Sequence, residues 1–159
     1  MFWAGILYGN RTALVAVPGD PESKKGGASA RVYKSILEEH LPTIMDASTV
    51  FMHDNAPIHT AHSIVDWLEE MAFTVLDWPP YSPDLNPIEN LWFCLKERIC
   101  KKDPELSTLS ANFESKERLI TVAEDIWEDI EQDLINRVIL SMPRRINAII
   151  NARGWYTRY

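Results

Sequence analysis

The chain has 159 residues, a formal net charge of −7, 46% hydrophobic residues and 25% charged residues. That length suits one domain around a single core, and the balance is ordinary for a globular chain. No apolar run approaches the roughly 18 residues of a membrane span, no basic region precedes the apolar start as in a secretory signal, and the acidic balance suits a stand-alone DNA binder poorly.

Residues 2–8 are predicted to form a buried strand, with Gly9-Asn10 as a turn and residues 13–17 as the antiparallel partner. Residues 18–28 are rich in Gly, Pro and Lys and read as a loop. Ser29 is placed to cap a helix to about His40, with Val32, Tyr33, Ile36 and Leu37 on one side. Residues 49–52 read as a short strand. Thr60 is expected to cap a helix over 61–71, whose apolar positions Ile64, Trp67, Leu68 and Met71 recur at spacings of a helix face. Residues 73–76 read as a further strand.

Residues 77–87 cannot be regular structure, because Pro79, Pro80, Pro83 and Pro87 each fix φ and remove a backbone donor. A helix is predicted over 88–101, with Pro87 harmless in its first turn and Leu91, Trp92, Leu95 and Ile99 as its core stripe. Residues 103–115 read as a polar loop. Helices follow at about 116–129, 131–140 and 143–152, with Gly154 as a C-terminal cap. The order predicts an α/β fold with a mixed sheet and flanking helices. Residues 1–159 form one domain in this reading, with an α/β core over 1–101 and a helical extension over 116–159.

Charge and cysteines add little. Residues 117–133 hold seven acids against one Arg and read as a solvated helix face. Residues 142–159 hold Arg144, Arg145, Arg153 and Arg158 with no acid, yet most DNA affinity would have to come from a separate basic domain. Cys94 and Cys100 are about 600° of helical rotation apart at ~3.6 residues per turn, so they read as reduced thiols.

The chemistry concentrates in two segments. One is His53-Asp54-Asn55-Ala56-Pro57-Ile58-His59, which follows a strand. The other runs from Trp78 to Trp92 and contains Asp84, Asn86, Glu89 and Asn90. An Asp at the carboxyl end of a strand is well placed to hold a metal, but Asp-Asn also caps turns, and position alone leaves both readings open. Glu89 in the first turn of a helix is equally a helix-dipole carboxylate. Asp84 and Asn86 read as scaffold that fixes the approach of the Glu89 helix. His53, His59 and His62 lack the cysteine or second His pair that would complete a zinc site. Trp3, Trp67, Trp78 and Trp92 read as core. Trp155 and Tyr156 read as a docked tail, with base stacking the weaker alternative.

These segments resemble the C-terminal part of the catalytic domain of mariner-superfamily DNA transposases, in their pogo-like and fungal branches. The resemblance extends from residues 1–6 to Ser141-Met142-Pro143-Arg144-Arg145 and residues 154–159. It implies an RNase H-like fold and a DDE-type site of two aspartates and a glutamate. Asp54 and Glu89 match the second and third of these acids. The first falls upstream of the segment matching residues 1–6, so the resemblance implies a sheet lacking its central strand and a chain inactive alone. Asp20 and Asp46, the nearest spare acids, fall in predicted loops. The implied cofactor is Mg2+ or Mn2+ in a two-metal site, with ions about 3.5–4 Å apart in the complete domain and the Asp54 and Glu89 carboxylates within about 4–8 Å of each other.

The implied activity is metal-dependent cleavage and strand transfer at transposon ends, with transposon-end and target DNA as partners. Homodimerisation is left open, no membrane partner is expected, and the location is the nucleus in a eukaryote and otherwise the cytoplasm. His59, Asn90, Arg144 and Arg145 are weaker candidates for DNA contacts. The alternative function is a truncated or domesticated transposase remnant that binds or assembles without catalysis. The strands at 2–8 and 49–52 are expected to pair directly, or to self-associate through their edges.

Overall fold

Ser29 shows how local chemistry starts the first helix. Its backbone is extended and its Oγ accepts the Val32 N–H at 3.3 Å, so α1 (Ala30–His40) begins where a serine cap places it. The computed structural model describes residues 1–24, 26–155 and 157. Its other elements are β1 (Phe2–Trp3), β2 (Ile6–Leu7), β3 (Asn10–Arg11), β4 (Val15–Ala16), β5 (Val50–Phe51), α2 (His62–Glu70), β6 (Thr74–Val75), α3 (Ile88–Lys102), α4 (Phe113–Glu128), α5 (Gln132–Ile139) and α6 (Met142–Asn151).

The N-terminal hairpin forms, but in two short ladders. β1 pairs antiparallel with β4, Phe2 opposite Ala16, and β2 pairs antiparallel with β3, Ile6 opposite Arg11. Gly9 turns the chain at φ +81°, a conformation that favours glycine. β5 pairs parallel with β6, and the Leu76 N–H extends the ladder to the Phe51 carbonyl at 2.8 Å. Both ladder senses are therefore present, as a mixed sheet requires, although the described residues hold three two-stranded ladders. The direct pairing expected between residues 2–8 and 49–52 does not occur. β1 closes on β4 and β5 on β6, and each of these pairings closes a shorter stretch of chain, at less loop entropy, than one between residues 2–8 and 49–52 would.

The described residues divide into two compact units, Met1–Gly5 with Val15–Tyr81, and Ile6–Leu14 with Ser82–Tyr159. In the first, α1 and α2 bury Tyr33, Leu37, Leu41, Ile64, Trp67 and Leu68 together, with Trp3, Phe51 and Phe73 packed against them. Met71, expected on this face, is 46% exposed. Asp20 pins the 18–28 loop. It is buried, and it accepts from Ser29 Oγ at 2.5 Å, Arg31 Nη2 at 2.6 Å and the Glu22 N–H at 2.9 Å. Those hydrogen bonds, Ser29 first, hold its pKa down at about 2. Asp46 closes a turn on Ser48 and Thr49. Both spare acids are thus occupied in loops.

Trp127 organises the second unit. It is fully buried, donates its Nε1–H to the Thr12 carbonyl at 2.9 Å and stacks on Trp92 with ring centroids 5.7 Å apart. Arg11 lies over its ring, 5.9 Å from the centroid, and reaches the Ile130 carbonyl. Leu91, Leu95, Ala123, Ile126, Ile130 and Ile135 complete this core. α4 starts three residues before its expected position. Asn112 Oδ1 accepts the Ser115 N–H at 2.8 Å, and Ser115 Oγ accepts the Asn112 N–H at 3.0 Å. This is a capping box with Ser in the place usually taken by Glu or Gln. Thr60 does not cap α2. Ala61 holds the N-cap position without a side-chain bond, and Thr60 Oγ1 turns back to the Ala56 carbonyl. No described helix is long and apolar enough to cross a membrane, and Cys94 and Cys100 are free.

Candidate active site

In the first unit the chain leaves β5 through Met52 and His53 and presents Asp54 to solvent. One carboxylate oxygen is fixed and the other is not. Oδ1 accepts the Ala56 N–H at 3.0 Å and lies 2.7 Å from His59 Nδ1, while Oδ2 has no hydrogen bond among the described residues. The turn-capping and ligand readings of Asp54 are therefore compatible, since each uses a different oxygen. Because a carboxylate oxygen accepts, His59 carries its proton on Nδ1. Asn55 ties the same loop to the proline segment by donating Nδ2–H to the Trp78 carbonyl at 2.7 Å.

Aromatic rings support this loop from below. His53 and His59 stack with centroids 5.2 Å apart and planes 9° apart, Tyr33 lies 4.3 Å from His59, and Phe51 lies 4.8 Å from His53. Burial, and then the neighbouring His59, push the His53 pKa down to about 4, so this imidazole is neutral at pH 7. Burial pushes the Tyr33 hydroxyl well up from its ordinary value. Tyr33 thus keeps its proton and donates it to His53 Nδ1 at 3.2 Å. Sequence reasoning missed Tyr33, which looked like an ordinary core position of α1. His62 is exposed at the start of α2, and no three metal-ligating side chains cluster among the described residues.

In the second unit Glu89 lies in the first turn of α3, exposed and facing no cation in an ion pair among the described residues. A carboxylate there is favoured by the helix dipole whatever else it does. The loop before it is scaffold, as its composition implies. The Asp84 carbonyl accepts from Arg145, and Asp84 Oδ2 accepts both the backbone N–H and the hydroxyl of Thr157, at 3.1 and 2.9 Å.

The candidates for DNA contact separate on burial. Arg144 is exposed. Arg145 is 2% exposed, with its guanidinium committed to Ser141, Asp84 and Asn90. That buried guanidinium is a structural clamp, with these donors turned to protein acceptors. Asn90 spends its side-chain oxygen on the same clamp, and His59 contacts Asp54. The usable signal was spacing: Ser141 and Arg145 are four apart on one helix face. Trp155 is 76% exposed. Tyr156, read with Trp155 as a docked tail, lies outside the described residues.

The first unit thus carries a strand-end aspartate on a ring-supported turn, and the second a glutamate that opens a helix after a proline loop. Residues 21–111 match the family model of the DDE superfamily endonuclease, and the chain belongs to that family. Among its relatives is the transposable element Tcb2 transposase of Caenorhabditis briggsae, 33% identical over 132 residues that make up 80% of this chain and 45% of that protein. The chain therefore spans less than half the length of this relative. The fold is that of the Mos1 transposase catalytic domain. The structure of that domain with raltegravir and Mg matches with a TM-score of 0.65 at 22% identity, over 99% of this chain and 84% of the other. The Mos1 paired-end complex with left transposon end matches with a TM-score of 0.64 at 22% identity, over 92% and 44% of the two chains.

Proposed function

We propose that this chain is the portion of a DDE-type transposase catalytic domain that supplies two of its three acidic ligands, Asp54 and Glu89. The observation that carries the proposal is the division of labour in Asp54: Oδ1 is held by Ala56 and His59, and Oδ2 remains for a ligand. Two exposed carboxylates are hard oxygen donors and suit Mg2+ or Mn2+. Bound there, such an ion would activate water for attack on a phosphodiester and stabilise the leaving oxygen. The chain's own residues do the positioning. Ala56 and His59 fix the Asp54 carboxylate, Tyr33 and His53 support His59, and the proline loop aims Glu89. A complete protein would act on transposon ends and target DNA, in the nucleus of a eukaryotic host or otherwise in the cytoplasm. Arg144 is the remaining exposed candidate for phosphate contact on α6.

The second reading for the isolated chain is a module that binds or assembles without cutting. A nicking assay on transposon-end DNA in Mg2+ or Mn2+, with Asp54→Ala as control, separates the two. Negligible cleavage is expected from the 159-residue chain. Robust cleavage abolished by Asp54→Ala would show that its own acids complete the site. A mobility shift of end DNA without cleavage would support the binding module.

A further inference from the structure

We propose that Arg145 is a positioning residue for Glu89, acting through the turn from which α3 starts; the proposal rests on the reading of Glu89 as a metal ligand. Arg145 Nη1 donates to the Asp84 carbonyl at 2.8 Å, and Nη2 donates to Asn90 Oδ1. These acceptors bracket Glu89, one in the proline loop before it and one beside it on the helix. The guanidinium is itself held, because Nε donates to Ser141 Oγ at 2.7 Å and that hydroxyl donates to the Val138 carbonyl at 2.5 Å. A buried guanidinium persists only where its donors are satisfied, and here two of its partners flank the candidate ligand.

The start of α3 needs such a brace. Pro87 occupies its N-cap position and offers no side-chain cap. The local bonds are long: Asn86 Oδ1 to the Ile88 N–H at 3.4 Å, the Glu89 N–H to Asn86 at 3.3 Å and the Asn90 N–H to Pro87 at 3.3 Å. Backbone hydrogen bonds ordinarily measure about 2.9–3.0 Å. The direction of the first turn, and of the Glu89 side chain, is therefore weakly set by its own backbone. Arg145 ties that turn to α6, and Thr157 holds the Asp84 side chain from the same C-terminal segment. Ser141, Arg145 and Thr157 thereby act on the Glu89 turn through the loop. Lysine cannot substitute for Arg145, since one ammonium lacks the fork that spans a carbonyl and an amide oxygen at once.

The test is Mn2+ affinity of the full 159-residue chain, with folding checked by circular dichroism, for Arg145→Lys, Glu89→Gln and the double variant. Removing a residue that orients a ligand typically costs about 10–100-fold in metal affinity. A loss of that size is expected in folded Arg145→Lys, together with faster amide exchange at residues 88–91. The double variant is expected to bind no worse than Glu89→Gln alone. If Arg145→Lys does not fold, Asn90→Ala removes one arm of the clamp from an exposed residue and is expected to show a smaller loss of the same kind. Unchanged Mn2+ affinity in a folded clamp variant, while Glu89→Gln weakens binding, would overturn the positioning role. Unchanged affinity in Glu89→Gln would instead overturn the metal reading, and with it the site that Arg145 is proposed to serve.

Discussion

His59 Nδ1 lies 2.7 Å from Asp54 Oδ1, and the same oxygen accepts the Ala56 N–H at 3.0 Å. The pair turns a half-exposed aspartate into an oriented one. If Oδ2 binds metal, His59 acts as the outer partner that fixes ligand direction, and its loss is expected to weaken Mn2+ binding about 10-fold or more. Mn2+ titration of His59→Ala followed by water-proton relaxation reads this. His59→Gln, which retains a donor, is expected to recover part of the affinity. Equal binding by wild type and His59→Ala would show that the turn alone orients Asp54.

Asp20 sets an acid limit on the first unit. Its folded pKa is about 2 against an ordinary 3.8, the hydrogen bond from Ser29 contributing most. A depressed carboxylate pKa stabilises the fold fully above the unfolded value, and that stability is lost as pH falls through 3.8 toward 2. Melting temperatures across this window are expected to fall more steeply for wild type than for Asp20→Asn. Parallel profiles would mean that the loop does not depend on this charge.

Trp127 is among the largest fully buried side chains of the second unit. It is fully buried, stacked on Trp92 and bonded to Thr12. Trp127→Ala is expected to cost about 3–5 kcal/mol in urea unfolding, the range for a large aromatic removed from a packed core. A cost below about 1 kcal/mol would show that this core refills the space or was never tightly packed.

The β5–β6 ladder has only two strands among the described residues, and Val50 and Val75 are 51% and 40% exposed. Apolar strands with open edges seek partners. Sedimentation velocity is expected to show concentration-dependent self-association, reduced by Val50→Lys. A monomer at every concentration would contradict this.

Local signals in the sequence located much of the fold. The Ser29 cap, the helical stripes of α1 and α2, and the prolines before α3 each act within a few residues, so their outcome was legible. The ladders were less so, because register depends on partners distant in sequence. Phe2–Trp3 could have met residues 49–52 but closed on its own hairpin. At the candidate site the acids were legible as residue types in specific segments. Their supports were not: Tyr33 and Arg145 reach the acid-bearing segments only through tertiary contacts. Arg145 in particular carries a charge that composition assigns to the surface, and acceptors on Ser141, Asp84 and Asn90 accompany its burial.

Asp54 and Glu89 are proposed to hold divalent metal. Isothermal titration of Mn2+ into wild type, Asp54→Asn and Glu89→Gln tests it most directly, because both substitutions remove ligand charge while preserving side-chain volume. Each single variant is expected to bind at least about 10-fold more weakly than wild type while keeping its melting temperature. Identical isotherms for all three folded proteins would contradict the assignment of both carboxylates.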